Sequence, residues 1–582
     1  MLINNKKYTK KYTKKYKINI KNYDIVIIGS GISGLYTLYK LSKNYPDLKI
    51  LLLESNERYG GRIYTYKETI DNKDYIMDFG AGRLGHHHKL INNLLKELNL
   101  SKKIINIPNT KTYINIDNKN NKVSNETKLR DSIMKKLYKL FVNSKISTLT
   151  KNILQKYYLN ELLTKYFGKT FSQKVASIFE YTSDLNEFNA YDAIEYFKHD
   201  YQNDSKFFTL NGGLGQIIEN LLLKIRQSRG FKSGYIKIQN LSSVENINYN
   251  NNNNSYELYV NNFKNTKQKS YIINSKIVIC GIPKNSLKKF TVCKPILRDL
   301  ESINNINLLR IFEVYNKNDD NGKMWFENIK KAVTNTPIQF VIPINPSSGL
   351  IMSSYSDCKN ANYWNNLLTN KGINYVKEKL NKYLNTLFSI YNINVPKSKY
   401  IKMHFWDAGV ACWKKNVDSD YLSEKLLNPF PRFYIIGENY SKYQAWCEGA
   451  LQTSQKCIEN LECTLNILKK SNNRSHKKKI LHKKTKIKKY KKIGGTKKSN
   501  IGSHKKKITL QELKKHNKKN DAWIAIKGKV YNITSWIPQH PGGNIILQGL
   551  GKDSTSLFNN YSHPDYVIKN ILPKYYIGNL VL

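Results

Sequence analysis

Acidic residues are scarce in this chain. Only 43 Asp and Glu stand against 96 Lys and Arg in 582 residues, a formal net charge of +53. Such a balance points to nucleic acid or an acidic membrane surface as partner. The heavy use of Lys, Asn, Ile and Tyr, all with AT-rich codons, offers coding bias as a second reading. Cysteine is also sparse: seven residues, an odd number, with none in a C-x-x-C pair. A disulfide framework is thereby excluded, and a reducing compartment is expected. The N-terminal KKYTKKYTKKYK has no apolar stretch behind its charges, which excludes a secretory signal. No uncharged apolar run reaches the length of a membrane span. A soluble, intracellular and cytoplasmic protein is the expectation. What is present is 40% hydrophobic and 12% aromatic residues, enough for globular cores, over a length that calls for more than one domain.

The chain is organised around residues 23–62. An apolar run, Ile25 to Ile28, reads as a buried parallel strand. Gly29, Gly31 and Gly34 follow in G-x-G-x-x-G spacing, with Ser33 inside it. The first glycine permits a tight turn, the second a close backbone approach to a pyrophosphate, and the third helix packing on the strand. Leu35 to Leu41 reads as that helix, whose N-terminus favours an anion. A second strand, Lys49 to Leu53, ends at Glu54, 20 residues beyond Gly34, where an acid accepts hydrogen bonds from ribose hydroxyls.

Glu54, Arg58, Gly60, Gly61 and Arg62 together resemble the extended FAD signature of the flavin amine oxidase family. The resemblance implies that Arg62 lies beside the pyrophosphate. It extends over about residues 23–465, with its specific motifs at the two ends. Phe79 to Leu84 is a glycine turn containing Gly82 and Arg83, both implied near FAD. Lys276 to Leu287 resembles the second cofactor segment, and Val244, 32 residues upstream, joins the implied contacts. Gly437-Glu438 and Glu448-Gly449-Ala450 resemble the closing flavin motif. The implied FAD segments are about 23–90, 205–290 and 430–465. The substrate domain then occupies about 91–204, largely helical, and 291–429. Residues 1–22 read as a flexible basic arm. His86 to His88 read as a polar loop or, less simply, a metal site.

Residues 466–507 are Lys-rich without hydrophobic periodicity and read as an extended linker. It is either a tether or a contact for nucleic acid or an anionic surface. Residues 508–582 resemble a cytochrome b5 haem domain, through His540-Pro541-Gly542-Gly543, Gly551 to Thr555, Phe558 and His563. The resemblance implies haem b held by His540 and His563, a closed coordination suited to electron transfer. The fold class expected is α/β, a Rossmann-type FAD domain interleaved with an α+β substrate domain, plus a small α+β haem domain.

In function, the resemblance implies oxidation of an amine or L-amino acid to an imine by hydride transfer to flavin, with electrons passed to O2 or to the haem domain. Trp446 and Trp413 are the implied aromatic cage, with a core role the alternative for each. Cys412, before Trp413, matches the flavin-linked cysteine of monoamine oxidases. Arg83 matches the arginine that grips a substrate carboxylate, with an FAD-contacting or structural role as the alternative. Arg310 stands where many members keep a lysine near the flavin, and arginine cannot deprotonate. The competing functions are a flavin desaturase or porphyrinogen-type oxidase, and a nucleic-acid-associated binding protein.

Overall fold

The computed structural model describes residues 17–117, 122–143, 146–200, 206–263, 269–317, 322–462, 464–466, 468, 507–540, 543–560 and 567–581. The chain divides into two compact units, Met1–Leu481 and His482–Leu582. The division falls within the Lys-rich stretch expected as a linker, most of which lies outside the described residues.

The first unit is built on two seven-stranded sheets. In one, the strand order is Ile236–Gln239, Ile50–Leu53, Lys17–Ile28, Lys269–Cys280, Ser255–Asn262 and Ser242–Asn250, with Phe433–Ile435 pairing alongside Lys269–Cys280. Its nucleotide-side strands are parallel, and the 242–262 hairpin is antiparallel. The Ile25–Ile28 run is covered on both faces. Ile25 and Ile27 join one apolar core while Val26 and Ile28 join another, as the two-residue period of a strand requires.

The first strand starts at Lys17, inside the segment expected as a flexible arm. Its extension pairs Lys17 with Tyr271 and Lys21 with Ile273, and the Lys21 ammonium lies over the Tyr271 ring. A neighbouring strand long enough to satisfy these backbone groups explains the difference.

The second sheet orders Tyr400–Trp413, Ile303–Val314, Leu350–Asp357, Phe340–Asn345, Lys331–Thr334, Lys111–Ile116 and Val123–Asn125. Helices between Thr127 and Asp200 enclose a third core. Within the segment expected to be largely helical, residues 151–167 form two pieces, Lys151–Leu154 and Leu159–Phe167, because Tyr158 leaves the helix to form a β-bridge with Asn189. Among the described residues no helix is long and apolar enough to cross a membrane.

The second unit is a five-stranded sheet formed by Lys507–Thr509, Tyr576–Val581, Lys529–Asn532, Asp521–Ile526 and Asn517–Lys518. An apolar cluster including Ile524, Tyr531, Ile537 and Phe558 packs beside it.

Candidate functional site

A continuous cavity of about 1330 Å³ runs from the first glycine turn to the second sheet. At its nucleotide end, Gly29 has φ +96°, and a Cβ on Gly34 would sit 2.0 Å from the Gly29 carbonyl. A Cβ on Gly31 would meet no protein atom within 4 Å. Gly31, Ile32 and Ser33 line the cavity, so the N-terminus of helix Ile32–Asn44 opens onto it. The three glycines therefore have distinct physical reasons, and that of Gly31 is space for a ligand. Gly60 forms a β-bridge with Gly31, and a Cβ on Gly61 would lie 3.2 Å from the Gly31 Cα.

Glu54 lines the cavity and is buried. Its Oε2 accepts from Ser30 N at 2.8 Å and Ser30 Oγ at 2.6 Å, and its Oε1 accepts from Asn56 N at 2.9 Å. The carboxylate thus fastens the glycine turn to the end of the second strand. Arg58 donates to the carbonyls of Tyr59, Gly61 and Ile63, clamping its own loop. Burial pushes its guanidinium pKa down. Arg62 reaches the third cofactor segment: it donates to Glu438 Oε2 at 2.6 Å, Asn439 Oδ1 at 2.7 Å and the Gly409 carbonyl at 3.1 Å. Glu438 also accepts from Ala411 N and Ala445 N. Gly437 (φ +124°), Val244 and Ala450 lie on the cavity wall.

Glu448 departs from the expected cofactor contact. It is not among the cavity-lining residues. Its two oxygens accept from Leu90 N and Ile91 N at 2.9 Å, capping helix Lys89–Glu97. The orphan N–H groups and positive end of that helix account for the carboxylate.

At the substrate end, Trp446 stacks on Phe207 with ring centroids 5.6 Å apart and planes 4° from parallel. The Arg83 guanidinium lies over both, 4.6 Å from the Phe207 centroid and 5.3 Å from that of Trp446. All three line the cavity. Arg310 also lines it, donating to the Asp78 carbonyl at 2.5 Å and lying over Tyr355. A Cβ on Gly82 would be 2.5 Å from the Arg310 Nη1, so the glycine makes room for this arginine.

Trp413 is not a cage residue. It is 0% exposed, donates Nε1 to the Ser441 carbonyl at 3.0 Å, and packs in the core beneath the first sheet. The second cavity tryptophan is Trp406, whose Nε1 donates to the Phe79 carbonyl at 2.8 Å. Seven residues separate the two, and an odd spacing on one strand faces opposite sides; the alternation carried that signal. Cys412 is buried with its Sγ against the Glu187 carbonyl, away from the cavity lining, and burial pushes its thiol pKa well up. A flavin thioether at Cys412 has no support in this geometry.

His86 to His88 do not form a metal site. Gly85 N donates to His88 Nδ1, and the His87 and His88 Nε2 atoms each lie 3.2 Å from the Tyr443 hydroxyl. Among the described residues there is no group of three or more His, Cys, Asp or Glu side chains that could hold a metal ion. In the second unit, His540 follows the turn Ile537–Gln539, whose Ile537 belongs to the apolar cluster. His563 lies outside the described residues.

The cavity, the glycine turn and the second sheet define a flavin-dependent oxidoreductase. Over residues 32–457 the chain matches flavin containing amine oxidoreductase, and over 509–581 the cytochrome b5-like heme/steroid binding domain. The chain belongs to the flavin containing amine oxidoreductase family and carries a cytochrome b5-like domain behind it. Its cofactors are FAD and haem b. The cradle fits FAD through the open space at Gly31 and the helix end beside it. A histidine beside an apolar cluster fits one side of a haem.

Wild-type putrescine oxidase bound to putrescine superposes with a TM-score of 0.57 at 14% identity, covering 76% of this chain and 100% of that one. A putative protoporphyrinogen oxidase from Exiguobacterium sp. 255-15 gives 0.54 at 15%, covering 77% and 100%. These likenesses are of fold. An acyl-lipid (8-3)-desaturase of Physcomitrium patens is 55% identical over 73 residues, 12% of this chain and 15% of that protein. Cytochrome b5 isoform B of Arabidopsis thaliana is 40% identical over 73 residues, 12% of this chain and 54% of that protein. The chain therefore spans 15% of the first relative's length and about half of the second's. The desaturase likeness is confined to the cytochrome b5-like part.

Proposed function

We propose that the flavin region oxidises an L-amino acid, or a similar acid-bearing amine, at the carbon bearing nitrogen, giving an imine. The observation that carries this is the guanidinium of Arg83 over the Trp446–Phe207 pair on the cavity wall. Arg83 holds the substrate carboxylate, for which a planar, permanently charged fork is suited. Trp446, Phe207 and Trp406 pack against the apolar body and exclude water from it. Bound FAD supplies the two-electron acceptor, with Gly31, Ser33, Glu54 and the loop held by Arg58 and Arg62 as its holders. Arg310, donating to the Asp78 carbonyl, supplies positive charge on the cavity wall and not a general base. Electrons would leave to dioxygen or to the fused domain, where His540 and His563 would hold haem b and the haem would supply one-electron acceptance.

The experiment is anaerobic mixing of the full-length holoprotein with a panel of L-amino acids and simple amines, followed by absorbance. Bleaching of the flavin by an L-amino acid supports the reading. No bleaching by any member, or equal bleaching by amines without a carboxylate that Arg83→Ala leaves unchanged, sinks it. Haem reduction in the same cuvette distinguishes the internal acceptor from dioxygen.

A further inference from the structure

One wall of the cavity gathers several cations around a single buried carboxylate. Lys111 and Lys331 are directly paired residues on adjacent parallel strands. Like charges so placed repel. Arg130 joins them, and all three converge on the buried Glu180. Its Oε1 accepts from Lys111 Nζ at 2.6 Å, Tyr113 Oη at 2.7 Å and Arg130 Nη2 at 2.9 Å. Lys331 is left with the far side: its Nζ is 3.8 Å from Glu180 Oε2, beyond hydrogen-bond reach, and lies over the Phe340 ring.

Asp131, from a half-exposed position, pairs with Arg130 at 3.2 Å. Asp184, buried, lines the cavity as well, so Arg83, Lys111, Arg130 and Lys331 share this lining with the carboxylates of Asp131 and Asp184. Lys330, exposed, adds a further charge at the rim. Lys111, Arg130, Lys330 and Lys331 all line the same cavity as Arg83. Arg83 is near enough to both paired lysines to help hold their pKa values down, after the larger effect of burial. An ammonium as enclosed as Lys331, 14% exposed, is costly unless its donors are used.

We propose that Lys331 and Lys111, with Lys330 at the rim, form a second anion-binding subsite, so that the substrate is an amino acid with a second acidic group at its far end. This rests on the reading that the cavity oxidises acid-bearing amines, and extends it to the substrate class. An oxyanion in front of Lys331 takes the hydrogen bonds Glu180 leaves unmade. A carboxylate or a phosphate ester has the required chemistry. The same wall repels a dicationic diamine.

The test is titration calorimetry on full-length holoprotein with glutarate and pentanoate, which share a carbon chain and differ by one carboxylate. Inorganic phosphate serves as a third probe. Charge-assisted hydrogen bonds of this kind correspond to roughly tenfold or more in affinity. Glutarate is therefore expected to bind at least about tenfold tighter than pentanoate. Lys331→Gln removes that preference, Lys331→Arg retains it, and Lys330→Gln reduces it without touching the Glu180 cluster. Phosphate competing with glutarate in a Lys331-dependent way assigns the subsite to oxyanions generally; no competition assigns it to carboxylates. Equal binding of glutarate and pentanoate, binding of neither, or a preference unchanged in both Lys331→Gln and Lys330→Gln overturns the proposal. If Lys331→Gln does not fold, the probe comparison on the unmutated protein and Lys330→Gln decide. Oxidation of leucine and glutamate with equal kcat/KM overturns the subsite while leaving amine oxidation standing. Lys331-dependent glutarate binding without any amino-acid oxidation does the reverse.

Discussion

The two ends of the flavin cavity are built on different principles. At the nucleotide end the ligand-facing surface is mainly backbone: Gly31 has open space before it, and the helix Ile32–Asn44 presents its N-terminus. At the substrate end the surface is side chains from distant segments: Arg83, Phe207, Trp406 and Trp446. A backbone site needs particular residues at fixed spacing. A side-chain site needs only that a face be reached, from any segment. Substitutions at the first end should therefore cost folding and cofactor together, and at the second should separate stability from chemistry.

The largest effect is expected at Gly34. A side chain there would meet the Gly29 carbonyl at 2.0 Å, so Gly34→Val should abolish soluble, flavin-loaded protein. Gly31→Ala, facing open space, should fold and bind FAD more weakly. Flavin-to-protein absorbance ratios separate the two, and equal outcomes would break the distinction drawn between these glycines.

The two tryptophans come next. Trp413→Ala should lower unfolding free energy by about 3–5 kcal/mol, because it empties a filled core. Trp446→Ala should instead reduce kcat/KM for the best substrate by about 10- to 100-fold through lost positioning. Denaturation curves and initial rates on both variants sharpen the contrast. A Trp413→Ala protein of normal stability with impaired rates would reverse the assignment.

A smaller effect concerns pH. Burial raises the Asp192 carboxyl from 3.8 to about 6, against the lowering hydrogen bonds from Asn189 and Ser419. The folded state thus holds this proton more tightly than the unfolded one. Its stabilising contribution is complete below about pH 4 and is lost as pH rises through about 6. The unfolding free energy of the unmutated protein relative to Asp192→Asn should fall by about 2–3 kcal/mol between those limits. A difference flat with pH would rule this out. The smallest expected effect is at Cys412: Cys412→Ser should leave flavin content unchanged, and denaturation should free all flavin from both forms. Flavin retained on the unmutated denatured chain would contradict the buried thiol.

The nucleotide end was legible in the sequence because its physics is local: strand, glycines, helix and acid lie within forty residues. So were both domains and their cofactors. The substrate end was legible only in part. Trp446 sits beside a recognisable turn, whereas Trp406 is set by which face of a long strand meets the cavity, a matter of tertiary register. Glu448 looked like part of the flavin motif, yet its partner is a helix end more than 350 residues earlier in the chain. The arm expected over residues 1–22 ignored the length of the neighbouring strand, which alone decides where pairing starts. Nothing local in the sequence pairs Lys111 with Lys331, because 220 residues separate two strands that lie side by side.

The ion pair between Arg62 and Glu438 spans 376 positions of chain. During synthesis the glycine turn emerges early, but the segment that completes its surroundings leaves the ribosome only after some four hundred further residues. Contacts of such long range form slowly. Flavin capture is accordingly a late event in biogenesis, and a truncated nascent chain would expose an apolar trough meanwhile. Supplying riboflavin during expression, and slowing translation with lower temperature, are the practical consequences for anyone preparing this protein.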